Sequence, residues 1–313
     1  MLRAILSLFL FLLLILFSIL FSFLNKKKSI NEYFTNELNN EKISNEYYPL
    51  SLNFFDGDKR NLNIILEEKN KEDIDKSYDS DTFIYNIFLD YNNKNLVIIG
   101  PDLVNLKKKY INFDIYFNNF KLESELKEKY KVFYYISCKV NNVNNINEVK
   151  IVVGKNSKIF KVLKNNYKCG ERILVTLQKN NRHRWIEDWI KFYTNRYNIT
   201  NIIIFDNNSD SFDELKYKLS KYKHVNLIPY NFPYGLKKKF DTNFLQPALL
   251  NIALEQFCDN DTYLFNFDID ELLIIDPNHL NKVLEKDNIF YLVNMWWVPM
   301  TLDKNTDYSY TDF

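Results

Sequence analysis

From Glu171 onward the chain alternates short apolar runs with stripes at helical spacing, and this restricts the fold more than any other feature. Residues 173–177 read as a buried strand, after which Trp185, Ile186, Trp189, Ile190 and Tyr193 recur on one helical face. Residues 202–205 make a second strand, closed by Asp206-Asn207-Asn208-Ser209-Asp210. Ser211 and Glu214 have the spacing of a capping box, opening a helix lined by Phe212, Leu215, Leu219 and Tyr222. A third strand covers 225–228. Phe244, Leu245, Ala248, Leu249, Ile252 and Ala253 mark the buried side of another helix, and residues 263–267 lead as a strand into Asp268-Ile269-Asp270. Such alternation implies an α/β fold, a mostly parallel, Rossmann-like sheet covered by helices. Ligands of such sheets bind beyond the carboxyl ends of the strands, where both acidic strings fall.

The upstream part follows a different rule. Apolar runs at 62–65, 83–89, 96–99, 113–117, 132–138 and 149–153 are four to eight residues long and rich in aromatic and β-branched side chains. That length and composition suit strands, so residues 51–168 are expected to form a small β-rich domain ahead of an α/β domain at 171–313. Residues 25–50, rich in Asn, Glu and Tyr without periodicity, read as a stem.

The run 4–24 carries no charge and is interrupted only by Ser7, Ser18 and Ser22. As a helix it is long enough to span a hydrocarbon core of roughly 30 Å. It exceeds a typical signal-peptide core and lacks a small-x-small cleavage site before Asn25, so a retained anchor is the expectation over a cleaved signal. Lys26, Lys27 and Lys28 follow the run, against Arg3 and the α-amine before it, a bias that favours a cytoplasmic large domain.

Composition excludes rather than identifies. A net charge of +1 gives no electrostatic footprint for nucleic acid. The abundance of Asn, Lys, Ile, Phe and Tyr reads as codon bias, so runs such as Lys107-Lys108-Lys109 are solvated surface. Cys138, Cys169 and Cys258 show neither metal-ligand spacing nor a CxxC pair. His183, His224 and His279 are isolated in sequence.

The chemistry concentrates at Asp268-Ile269-Asp270. In extended backbone, residues two apart share a face, so both carboxylates could reach one cation. Hard divalent ions such as Mn²⁺ or Mg²⁺ take oxygen ligands and bridge them to a diphosphate, offsetting the charge on a nucleoside diphosphate leaving group. A bare DxD is common, and an exposed acidic turn is its bland alternative. Two Asp after an apolar strand also suggest the phosphatase-type motif of haloacid dehalogenases, but Glu271-Leu272 stands where that motif needs a small turn residue and Thr or Val.

Four blocks in order then define a resemblance over residues 179–277. They are Asn180-Asn181-Arg182-His183-Arg184-Trp185-Ile186-Glu187-Asp188-Trp189-Ile190-Lys191-Phe192-Tyr193, Ile203-Ile204-Phe205-Asp206-Asn207-Asn208-Ser209-Asp210, Gln246-Pro247-Ala248-Leu249-Leu250-Asn251 and Phe267-Asp268-Ile269-Asp270-Glu271-Leu272-Leu273. This stretch resembles glycosyltransferase family 92 and its family 2-like relatives, which have a GT-A fold. The resemblance implies a metal-dependent transferase moving a hexose from a nucleotide sugar to a glycan or glycoprotein acceptor. It implies donor contacts from Asp206, Asn208, Gln246 and Asp268, metal ligation by Asp268 and Asp270, and Mn²⁺ or Mg²⁺ as cofactor. Glu187 matches a family acid on the first helix, or is an exposed helical carboxylate. The family's topology, with the catalytic part in the Golgi lumen, opposes the lysine bias, and cytoplasmic placement stays open. Three sequons, at Asn198, Asn207 and Asn260, accompany the lumenal reading.

The chain offers only the donor half of a GT-A domain and a little more. The catalytic base is unassigned, with Asp303 and Asp307 as the late carboxylates, and Trp296-Trp297 is either an acceptor platform or core. A membrane-tethered nucleotide-sugar binder without activity therefore stands as an alternative, with a phosphatase-like hydrolase behind it.

Overall fold

The computed structural model describes residues 51–61, 77–90, 94–129, 133–140, 148–161, 171–235, 244–259 and 261–285. The expected anchor at 4–24, the stem, the run at 62–65 and everything beyond 285 lie outside the described residues. No helix among the described residues is long and apolar enough to cross a membrane. The elements below all belong to one compact unit, Glu46–Phe313.

The chain is mixed α/β with several sheets, one of them parallel. Its first part is antiparallel. Strands β1 (Leu52–Asn53) and β2 (Thr82–Ile84) pair with each other. Strands β3 (Asn86–Asp90), β4 (Asn95–Pro101), β7 (Ser124–Lys129) and β8 (Phe133–Lys139) form one four-stranded sheet in the order β3-β4-β8-β7. A short helix α1 (Lys107–Tyr110) follows β4, and β5 (Asp114–Phe117), β6 (Phe120–Lys121), β9 (Glu148–Val153) and β10 (Asn156–Lys161) make the second, ordered β10-β9-β5-β6. The apolar runs predicted inside 83–153 all become strands. The sequence Ser124-Glu125-Leu126-Lys127-Glu128-Lys129 does so without an apolar run, because β7 is an edge strand whose charges discourage further pairing. Gly100 permits close approach within this layer: a β-carbon there would meet the Phe83 carbonyl and the Tyr134 ring.

The second part is the expected alternation. Strands β11 (Arg172–Gln178), β12 (Asn201–Asp206), β13 (Val225–Pro229) and β14 (Tyr263–Asn266) pair in parallel in the order β13-β12-β11-β14. Helices α2 (His183–Tyr197), α3 (Phe212–Leu219) and α4 (Leu245–Phe257) connect them, and α5 (Pro277–Leu284) follows β14. Leu174, Ile202 and Ile204 share a core with Ile186, Trp189, Ile190 and Tyr193 of α2 and Leu215 and Leu219 of α3. Side chains alternate along a strand, so the intervening Ile173, Val175, Ile203 and Phe205 lie on the opposite face. They too are buried. Cover on both faces is why these strands read as unbroken apolar runs. Helix α4 lies against β11 and also against β3 and β4 of the antiparallel sheet. Helix α5 has a sequence cause: Pro277 suits the first helical turn, and Asp276 caps it by accepting the His279 N–H at 3.0 Å.

The capping box read at Ser211 and Glu214 does not form. The Ser211 side chain makes no cap; its hydroxyl lies 2.9 Å from His183 Nε2, and Glu214 pairs with Lys218 at 2.7 Å. A neighbouring helix competes for the hydroxyl and wins.

A buried ion pair ties the first part to α4. Arg60 and Asp79 are both removed from solvent and approach to 2.9 Å. The guanidinium lies between the rings of Phe54 and Phe244, 5.2 and 5.3 Å from their centroids, and donates to the carbonyls of Asp79 and Thr82. Asp79 also accepts from the Thr82 N–H at 3.0 Å and the Tyr85 hydroxyl at 2.7 Å. Removing one charge strands the other, so Arg60→Leu is expected to lower the unfolding free energy by about 3–5 kcal/mol. Arg60→Leu combined with Asp79→Leu should recover most of that loss. Urea unfolding of the three variants tests it, and equal losses in the single and double variants would overturn it.

Candidate functional site at the carboxyl edge of the parallel sheet

The order β13-β12-β11-β14 reverses direction at β11: the chain steps outward through β12 and β13, then returns to the other side as β14. Open sheets of this kind leave a crevice at the carboxyl ends flanking such a reversal. The loops after β11, β12, β13 and β14 and the start of α4 all lie at that edge.

The loops after β11 and β12 are knitted together through Asp206. Its Oδ1 accepts the Ser209 N–H at 2.8 Å, and its Oδ2 accepts from the Gln178 side-chain amide. That amide also reaches Ser209 Oγ at 3.1 Å, which accepts the Asn180 N–H at 2.8 Å. The Asn207 N–H donates to the Gln178 carbonyl at 2.8 Å, and Asn180 and Asp210 exchange bonds of 2.8 and 3.1 Å. Asp206 is only 1% exposed. Both its carboxylate oxygens serve the turn, so its direct role is to organise that turn. The turn offers to solvent Asn208, exposed at its tip with a left-handed backbone (φ 58°), and Asp210. Gln178 is a site residue that sequence reading missed; its only signal was a polar residue closing an apolar strand. Arg182, exposed at the head of α2 with its guanidinium 5.1 Å from the Trp185 ring centroid, was also overlooked.

The acidic string behaves differently from the extended reading. Strand β14 ends at Asn266, and residues 268–271 form a turn closed by the Glu271 N–H on the Asp268 carbonyl at 3.0 Å. Asp268 and Asp270 therefore share a tight turn rather than one strand face; both are exposed, and Ile269 between them is buried. Glu271 Oε2 accepts the Asp268 N–H at 3.0 Å. Partial desolvation, then the negative charges of Glu271 and Asp270, hold the Asp268 carboxyl above its ordinary range, although its surface stays open to water.

Two tyrosines fix this turn on α2. Tyr193 Oη accepts the Leu273 N–H at 3.0 Å and donates to the Glu271 carbonyl at 3.1 Å. Tyr197 Oη donates to the Leu273 carbonyl and accepts the Ile275 N–H at 3.3 Å. The Tyr193 ring stacks on Phe267, centroids 5.4 Å apart. In the sequence Tyr193 registers only as part of an apolar stripe, which conceals the hydroxyl.

Gln246, half-buried in the first turn of α4, accepts from the Tyr234 hydroxyl at 2.8 Å. Glu187 is engaged elsewhere, by Lys221 at 2.7 Å and the Tyr222 hydroxyl at 3.2 Å. Asp303, Asp307, Trp296 and Trp297 lie outside the described residues.

No three His, Cys, Asp or Glu side chains among the described residues form a group that could hold a metal alone. The donor chemistry of the Asp268–Glu271 turn still suits a hard cation: exposed, mutually repelling carboxylates whose shell a ligand's phosphate oxygens and water could complete.

No family model matches the chain, and no curated protein does. Among solved structures, a formyltetrahydrofolate deformylase from Burkholderia mallei ATCC 23344 matches over 60% of this chain, with 9% identity and a TM-score of 0.21. The match spans 63% of that protein's length, and a likeness so slight carries no argument about fold or activity.

The raised Asp268 carboxyl has a sign-defined consequence. Ionising it costs more in the folded chain than in the unfolded one, so stability falls as pH rises from the ordinary carboxylate value through the raised one. In chelator, Asp268→Asn is expected to melt above the parent at neutral pH, with the gain shrinking toward acid. A variant that melts lower at neutral pH would show that the Asp268 charge stabilises the fold.

Proposed function

We propose that this chain is a metal-dependent glycosyltransferase of the GT-A type, moving a hexose from a nucleotide sugar to a glycan or glycoprotein acceptor. One observation carries the reading. Two turns with different chemistry, 206–210 after β12 and 268–271 after β14, flank β11 at the carboxyl edge of one parallel sheet. A nucleotide sugar needs that division of labour, one group of contacts for the nucleoside and a negative cluster for a cation on the diphosphate.

Asp268 and Asp270 are the residues that would hold Mn²⁺ or Mg²⁺. A cation bound there would neutralise charge on the departing nucleoside diphosphate. Asn208 and Gln246 would face the donor, and Arg182 adds positive charge on the same edge. Asp206 would act on the donor through the turn that it holds. In the transfer the bond from the sugar's anomeric carbon to the diphosphate breaks, a bond to the acceptor oxygen forms, and the acceptor proton passes to a base that is not assigned.

Asp270→Ala is expected to abolish the Mn²⁺-dependent part of donor affinity while leaving the melting curve intact. Calorimetry with a panel of nucleotide sugars reads the binding, and nucleoside diphosphate release reads turnover. Unchanged Mn²⁺-dependent affinity would overturn the assignment. Binding without release would favour the alternative of a non-catalytic nucleotide-sugar binder.

The same reading takes residues 4–24 as a single membrane anchor and puts the large part of the chain in the lumen of the secretory pathway, against the pull of Lys26, Lys27 and Lys28. Protease added to sealed microsomes is expected to spare the large part until detergent is present. Digestion without detergent would put it on the cytoplasmic side.

A further inference from the structure

The sequence holds three N-glycosylation sequons, and the fold treats the two that are described in opposite ways. Asn207 is 5% exposed, and its N–H is spent on the Gln178 carbonyl. The hydroxyl residue of its sequon, Ser209, is buried and bonded to Gln178 and Asn180. A glycan on Asn207 would have to displace the turn after β12 that is bonded to the loop after β11. Asn198 is the reverse case. It caps the carboxyl end of α2 in left-handed backbone (φ 55°), a conformation that lifts it out of the helix, and its side chain is exposed.

The loop that carries Asn198 is fixed without help from its side chain. The Thr200 hydroxyl donates to the Arg172 carbonyl at 3.0 Å and accepts the Arg172 N–H at 3.2 Å, and the Thr200 N–H donates to the same carbonyl at 3.0 Å. Ile199 is buried between them. Nothing that holds the loop needs the Asn198 amide. Its location matters as well. Asn198 precedes the first residue of β12, whereas the candidate site lies beyond the last, so six residues of strand separate them. The five steps from Asn201 to Asp206, at about 3.3 Å each, span roughly 17 Å.

We infer that Asn198 is an N-glycosylation site, that Asn207 stays unmodified, and that the glycan projects from the amino edge of the parallel sheet, away from the carboxyl edge. The inference rests on the lumenal placement proposed above. The chemistry is transfer from a lipid-linked oligosaccharide diphosphate: the Asn198 amide nitrogen bonds to the anomeric carbon, the carbon–diphosphate bond breaks, and the amide gives up one proton.

The test uses the full chain in cultured eukaryotic cells, with an added C-terminal tag carrying its own sequon to report lumenal exposure. Glycans are read by electrophoretic mobility before and after peptide-N-glycosidase. Asn198→Gly removes the acceptor while suiting the left-handed backbone, and is expected to run faster than the parent by one glycan. Thr200→Ser keeps both sequon and hydroxyl and should retain the parent pattern, while Asn207→Gln should leave mobility unchanged. With the tag glycosylated, an unchanged Asn198→Gly band, or a one-glycan loss in Asn207→Gln, overturns the inference and leaves the lumenal reading standing. A chain modified at neither the tag nor Asn198 overturns both.

Discussion

Strand β11 is the constraint from which the candidate site hangs. It is paired in parallel on both edges, with β12 on one side and β14 on the other. Parallel pairing fixes where each neighbour ends relative to β11, since every strand runs in the same direction and each return needs a crossover helix. Val175 faces Asn266 across one ladder and Gln178 faces Asp206 across the other. The two acidic turns are thereby delivered to one edge by backbone geometry before any side chain is considered. Their separation in sequence, some sixty residues, is the cost of threading α3, β13 and α4 between them.

The two turns are held by opposite means. At 206–210 the carboxylate itself is the fastener, accepting one backbone and one side-chain donor inside the protein. A buried acid with a donor on each oxygen is held in place by the turn that it organises. At 268–271 Glu271 Oε2 accepts the Asp268 N–H, while Tyr193 and Tyr197 hold the chain through its peptide groups, so the Asp268 and Asp270 carboxylates are not the fasteners. Asp268 and Asp270 then stand with Glu271 as neighbouring acids, and partial desolvation followed by the charges of Glu271 and Asp270 raises the Asp268 carboxyl. An electrostatic surplus of this kind favours a counter-ion, so it is the later turn that carries the metal half of the proposal.

Sequence reading recovered what periodicity encodes and lost what competition between hydrogen-bond partners decides. Strands β11 and β12 and helices α2, α3 and α4 were legible because burial leaves unbroken apolar runs and helical stripes, and the edge strands β13 and β14 were legible from short apolar runs of their own. Strand β7 was not, since an edge strand owes its place to a neighbour's ladder rather than to its own charged sequence. Ser211 had the right spacing for a cap, yet its hydroxyl went to His183. Asp268 and Asp270 were singled out as candidates by their residue types, but the turn that presents them was invisible: extended and turned backbone suit the same three letters. Asp206 was found as well. That both its oxygens face inward depends on Gln178, twenty-eight residues away, which no local pattern announces.

The tyrosine grip has a consequence for how this surface can change. Tyr193 and Tyr197 bond to main-chain groups of Glu271, Leu273 and Ile275, groups that every residue except proline supplies alike. Ile269 and Leu273 are anchored by their own burial, with Phe267, Leu272 and Ile275 packed against the same core. The side chains of Asp268 and Asp270 take no part in that anchoring, and their chemistry can be exchanged while the loop stays in register. On the proposed function, the chemistry offered at 268 and 270 can therefore drift while Glu271, Leu273 and the two tyrosines keep the loop in place, so a cation site could be lost or regained on an unchanged scaffold.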